Sequence, residues 1–142
     1  MKITDWVISG IKIANFGRYA LEVEADKSLP WTINYTYKYE WMDDVSLKES
    51  VIVDVFLDIG KTSYRLQAVT QFTLDVSDKS HTIVGEENFN FFTKITQMAI
   101  SHARIMFIQA FAAYEAAEFF VPYFEDDLLY ERVKTSVQQQ MN

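Results

Sequence analysis

The sequence predicts an α+β fold: a four-stranded antiparallel sheet followed by a long helix and a short C-terminal helix, in one domain over residues 1–142. Two observations lead to it. Apolar and polar residues alternate with a period of two through Trp31–Trp41, Ser50–Ile59 and Tyr64–Val76, the pattern of strands with one buried face. The pattern then changes, and between Met98 and Tyr114 only Ser101, His102, Arg104 and Gln109 are polar. Strands that come first, joined by short turns, pair as an antiparallel sheet, and helices that come afterwards segregate to one side of it.

The first strand has a broken alternation. Trp6 and Ile8 share one parity and Ile11 and Ile13 the other, which a bulge near Ser9 and Gly10 reconciles. Asn15 to Pro30 continues that strand and then forms a long connection. In the second strand Trp31, Ile33, Tyr35, Tyr37, Tyr39 and Trp41 lie on one face, and Thr32, Asn34, Thr36, Lys38 and Glu40 on the other. Such a face is either core or a partly wet platform, since tyrosine and tryptophan combine apolar area with a polar handle. The third strand, Ser50–Ile59, turns inward Val51, Val53, Val55, Leu57 and Ile59. A turn over Gly60–Ser63 leads into the fourth, Tyr64–Val76, and makes the clearest hairpin in the chain.

The stretch Asn88 to Phe120 reads as the long helix, and from Met98 to Tyr114 its apolar residues surround it rather than line one stripe. A sheet can cover one side, and a second copy of the chain is the natural cover for the other, with Ile95, Ala99, Ile105 and Ile108 as expected interface residues. A dimer or a dimer of dimers is expected. Pro122 breaks the helix, and Glu125–Gln139 resumes as a short amphipathic one carrying Leu128, Leu129, Val133 and Val137.

Composition removes several functions. Apolar residues make up 49% of the chain and only four glycines and two prolines interrupt them, so the chain is a packed protein. A net charge of −7 opposes nucleic acid or an anionic lipid surface as partner. His102 and Arg104 in the middle of the long helix, and the shortness of its unbroken apolar runs, argue against membrane insertion. Met1 to Ile8 lack the basic and apolar regions of a signal peptide, so the expected localisation is cytoplasmic. With no cysteine there is no thiolate nucleophile or thiolate metal site, and two histidines at unrelated positions do not make a zinc site. Neither metal nor cofactor is expected.

No catalytic constellation survives. Gly60, Lys61 and Thr62 resemble the end of a phosphate-binding loop, but Val55 stands where the earlier glycine is required. Ser80–His81 and Ser101–His102 are sequence neighbours, and neighbours on a helix diverge by about 100°. Asp54 and Asp58 share a strand face, but four residues of strand separate them by roughly 13 Å, beyond the spacing of two cooperating carboxylates.

The layout resembles the SecB family of export chaperones and their SecB-like relatives. A bulged first strand, a long crossover, a strand opening with Trp31, a hairpin, a long helix, a proline break and a short final helix follow in that order. Ile100–Arg104 is similar to the middle of the family's long helix. Val121, Pro122 and Tyr123, leading through Asp126 and Asp127 to Leu128 and Leu129, are similar to the start of its last helix.

The resemblance implies a non-catalytic holdase that binds unfolded or non-native polypeptides in apolar grooves. Carried onto matching positions, the polypeptide-binding residues are Trp31, Tyr35, Tyr37 and Tyr39, with Phe119, Phe120, Leu128 and Leu129 as the other wall. The family's acidic docking position for the export motor falls near Ala68, which has no charge. Service to one dedicated partner, as in relatives that serve toxin–antitoxin systems, therefore stands beside protein export. Two other functions compete. A small-ligand binding module would enclose a pocket between sheet and helix; single-stranded RNA could stack on the tyrosine face, against the acidic charge.

Overall fold

Four strands, β1 (Ile3–Ala20), β2 (Trp31–Trp41), β3 (Ser46–Ile59) and β4 (Thr62–Val76), form one antiparallel sheet in the order β1-β4-β3-β2. The helix α1 (Glu86–Ala112) packs on one face of it. This computed structural model describes residues 3–24, 31–77, 86–112 and 131–135, the last of which are helical. β2, β3 and β4 form a meander, whereas β1 lies beyond β4. β1 and β2 are therefore opposite edges of the described sheet.

The broken alternation of β1 has a simple cause in its register. Shifts fall between Ile3 and Asp5, Ile8 and Gly10, and Ile13 and Asn15. Trp6 and Ile8 stand opposite Leu74 and Phe72; beyond the second shift Ile11 and Ile13 stand opposite Thr70 and Ala68; beyond the third Phe16 stands opposite Leu66. All these β4 residues are buried. Each added residue resets the parity so that the apolar side chains return to the helix side. The bulge expected near Ser9 and Gly10 is one of the three.

β3 begins at Ser46, four residues before its expected start, which adds Leu47 and Glu49 to the buried face. The Asp43 carboxylate tightens the preceding turn by accepting from the backbone N–H of Val45 at 2.8 Å and of Ser46 at 2.7 Å. Ile59, expected inward, is exposed at the hairpin end. There Gly60 has φ of 58° at the first of the two residues between Ile59 and Thr62, where a type II′ hairpin turn requires a left-handed conformation.

α1 buries one broad side: Phe89, Phe92, Ile95, Thr96, Ala99, Ile100, Ala103 and Phe107. The inward residues of β3 and β4 meet it, from Leu47 to Leu57 and from Tyr64 to Val76. Aromatic pairs fix it at both ends of β1, with Trp6 against Phe91 at 5.9 Å and Phe16 against Phe107 at 6.0 Å, each contributing about 0.5–1.5 kcal/mol beyond burial. Midway, Thr70 Oγ1 and His102 Nδ1 share a hydrogen bond of 3.1 Å, and burial holds the imidazole below its ordinary pKa. Two of the four expected interface residues are thus accounted for within the chain. Ile95 and Ala99 are buried against its own sheet, while Ile105 and Ile108 remain 57% and 47% exposed.

Candidate functional site

β2 is an edge strand: one rim pairs with β3, and among the described residues no strand pairs with the other. The helical segment 131–135 lies beside that rim. Val133 is buried in the core shared by sheet and α1, and the Lys134 ammonium sits 5.7 Å from the centre of the Phe89 ring. Thr135 Oγ1 donates to the Glu131 carbonyl at 3.2 Å. Between strand and segment runs a groove of about 460 Å³, lined by Ile33, Asn34, Tyr35, Glu131, Arg132 and Thr135.

The alternation of β2 sorts its tyrosines into different roles. Tyr35 is half-buried in the groove wall, its ring at 5.9 Å and edge-on to that of Tyr37. Tyr37 is 6% exposed and belongs to the core, not to an accessible face. Its ring packs against Phe92 at 5.9 Å, and its hydroxyl bonds the Thr96 hydroxyl beneath α1. Thr96 Oγ1 donates to the Phe92 carbonyl at 2.6 Å, so Tyr37 is the donor between the two hydroxyls. Burial holds this phenol well above the ordinary tyrosine pKa. Tyr39 is 44% exposed and lines a second concavity of about 430 Å³ with Lys38, Glu40, Lys48, Ser50 and Gln71. Trp31 opens β2 opposite Leu57. Its side chain, and Phe119, Phe120, Leu128 and Leu129, lie outside the described residues.

The groove therefore brings Tyr35 together with residues the sequence did not single out. Ile33 was legible as a member of the aromatic face. Glu131, Arg132 and Thr135 follow Leu128 and Leu129 at helical spacing, so they flank a face predicted as a wall. Chemically the groove offers an apolar floor, a rim with one carboxylate and one guanidinium, and the edge of a strand. An extended polypeptide satisfies such a site by placing alternate side chains in it while its main chain follows the edge.

On the face of the sheet away from α1, Arg65 lies over the rings of Tyr19 at 5.0 Å and Phe56 at 5.3 Å. A Cβ on Gly17 would stand 2.7 Å from the Tyr19 hydroxyl oxygen, so glycine is what lets this ring fold across the strand. Ala68 is buried on the helix side. It could not present a docking charge whatever its identity. Asp54 accepts from Gln67 Nε2 at 3.0 Å across the β3–β4 pair, and His102 bonds Thr70. Ser80 and His81 lie outside the described residues. Among the described residues no three acidic or histidine side chains gather as metal ligands do, and no helix is long and apolar enough to cross a membrane.

No protein-family model and no curated protein matches the sequence. Among solved structures, the SecB-like chaperone Rv1957 of Mycobacterium tuberculosis, in complex with a ChAD peptide from the HigA1 antitoxin, superposes with a TM-score of 0.54 at 8% identity. The match covers 84% of this chain and 88% of that one, and gives this chain the SecB-like fold.

Proposed function

We propose that this chain is a non-catalytic holdase that takes extended segments of non-native polypeptide along the edge of β2 that no described strand pairs. The observation that carries the reading is the groove between β2 and residues 131–135, with Tyr35 in its wall. A folded client has already paired its backbone and buried its apolar residues, so the edge and groove favour unfolded chains. The net charge of −7 keeps a protein with exposed Tyr39, Ile105 and Ile108 soluble. Ile105 and Ile108 are proposed as the contact between copies in a homo-oligomer.

A dedicated client is favoured over general export by two observations. The structural neighbour holds an antitoxin peptide, and Ala68, near which the family's docking charge falls, is uncharged and buried. The test is suppression of aggregation of a chemically unfolded protein by the purified chain, with the same protein in its native state as control. Suppression at near-equal molar ratio and no binding of the native form is the expected result. No effect on the unfolded form would exclude a holdase.

A further inference from the structure

Glu49 is 0% exposed, and among the described residues neither carboxyl oxygen has a hydrogen-bond partner. It stands between Tyr39 of β2 and Phe72 of β4, on the face that α1 covers. A chain of ring contacts runs from its β4 neighbour Phe72 through β1 and α1 to β2. Phe72 meets Trp6 at 6.0 Å, Trp6 meets Phe91 at 5.9 Å, Phe91 meets Phe92 at 5.8 Å, and Phe92 meets Tyr37 at 5.9 Å. The first turns of α1 therefore lie over the part of the sheet that carries Glu49.

A carboxylate in such a place is strongly disfavoured, because water is gone and no donor replaces it. Among the described residues no lysine, arginine or histidine pairs with it. Tyr37 and Tyr39 are the titratable neighbours on β2, and the flanking β4 residues Thr70, Phe72 and Leu74 carry no charge. On α1, Lys94 lies over the Trp6 ring at 5.1 Å and His102 bonds Thr70, while Asn88, Phe89, Phe92, Ile95 and Thr96 on the buried side do not titrate. β1 contributes Trp6 and Ile8. Glu131, Arg132 and Thr135 of the helical segment line the groove outside β2.

We propose that Glu49 is a pH-sensitive latch: it is neutral while the first turns of α1 lie on the sheet, ionises when they lift, and so couples rising pH to exposure of the aromatic surface beneath them. Burial alone raises its pKa above the ordinary carboxylate value. The sign follows from linkage. The closed form holds the proton over a range in which the open form has lost it, so closure is fully favoured below the ordinary Glu value of about 4.3 and weakens as pH rises toward the closed-state value. Within that window the open fraction grows up to tenfold per pH unit, and above it the fraction is level. The surface so exposed includes Phe72, Phe92 and Tyr37, a further binding face for non-native chains; this last consequence rests on the holdase reading, whereas the latch does not.

The test follows amide exchange of residues 88–96, corrected for intrinsic rates, and fluorescence of the apolar dye ANS, from about pH 5 to about pH 8. Full-length wild type is compared with Glu49→Gln and Glu49→Leu. Wild type should open with a slope approaching tenfold per pH unit over part of the range, the variants should be level and more closed, and amides of Thr70 to Leu74 should not follow. A level wild type, the same slope in either variant, or parallel exposure of the β4 amides would overturn the latch. So would failure of both variants to fold, since a carboxyl held neutral should tolerate a neutral replacement.

Discussion

Replacing Tyr37 by Phe and Thr96 by Val should have unequal effects, because their hydrogen bond has a direction. Thr96 gives its proton to the Phe92 carbonyl and receives that of Tyr37. Tyr37→Phe removes one buried hydrogen bond and leaves Thr96 bonded through its own proton, a loss of about 1 kcal/mol. Thr96→Val removes the acceptor of the Tyr37 hydroxyl together with the bond Thr96 donates to the Phe92 carbonyl, a loss of about 2 kcal/mol. The double variant loses the shared hydrogen bond only once, so the loss should fall short of the sum by about 1 kcal/mol. Urea unfolding at one fixed protein concentration reads these differences as midpoints at constant m, and by melting temperature each kcal/mol is worth about 2–4 °C at this chain length. The high phenol pKa keeps the bond intact at neutral pH, and its contribution is lost only above about pH 10, where the unfolded tyrosine ionises. Equal losses in the two single variants, or strict additivity in the double one, would refute this account of how β2 is tied to α1.

Gly60→Ala forces a side chain into the left-handed turn at φ 58° and should cost about 1–2 kcal/mol, while Gly60→Asn should recover part of it; thermal unfolding of both variants checks this. Ile105→Glu and Ile108→Glu should lower the oligomer mass measured by light scattering with little loss of protomer stability, since both side chains are exposed in the single chain. Ile95→Glu should instead unfold the protein, because it places a charge in the core.

The strands and the long helix were legible because each has one covered face, and alternation reports a covered face directly. β2 shows where that legibility ends. Periodicity placed Tyr35, Tyr37 and Tyr39 on one face, but depth differs along a single strand: α1 covers Tyr37, leaves Tyr35 half-buried at the groove, and does not reach Tyr39. Alternation assigns a side of the sheet and cannot say how far a helix reaches across it. The early start of β3 was hidden for a related reason. Lys48 and Glu49 stand just before the expected start at Ser50, and burying Glu49 without a described partner is a choice that polarity patterns weigh against. The bulge after Ile13 could have been found, since the parity change from Ile13 to Phe16 repeats the one from Ile8 to Ile11. The helix reads as apolar all round because Ile105 and Ile108 continue its buried composition onto its exposed side.

The most direct measurement is the affinity of one labelled, permanently unfolded polypeptide for wild type and for Tyr35→Ala, with oligomer mass and melting temperature recorded on the same samples. A holdase whose groove lies between β2 and residues 131–135 should bind the unfolded chain and lose about 1–2 kcal/mol of affinity in the variant, roughly 5- to 30-fold, with mass unchanged. Binding should persist in high salt, because apolar burial is not screened. Wild type that ignores the unfolded chain would contradict the proposed function. Undiminished affinity in a well-folded Tyr35→Ala would contradict the site.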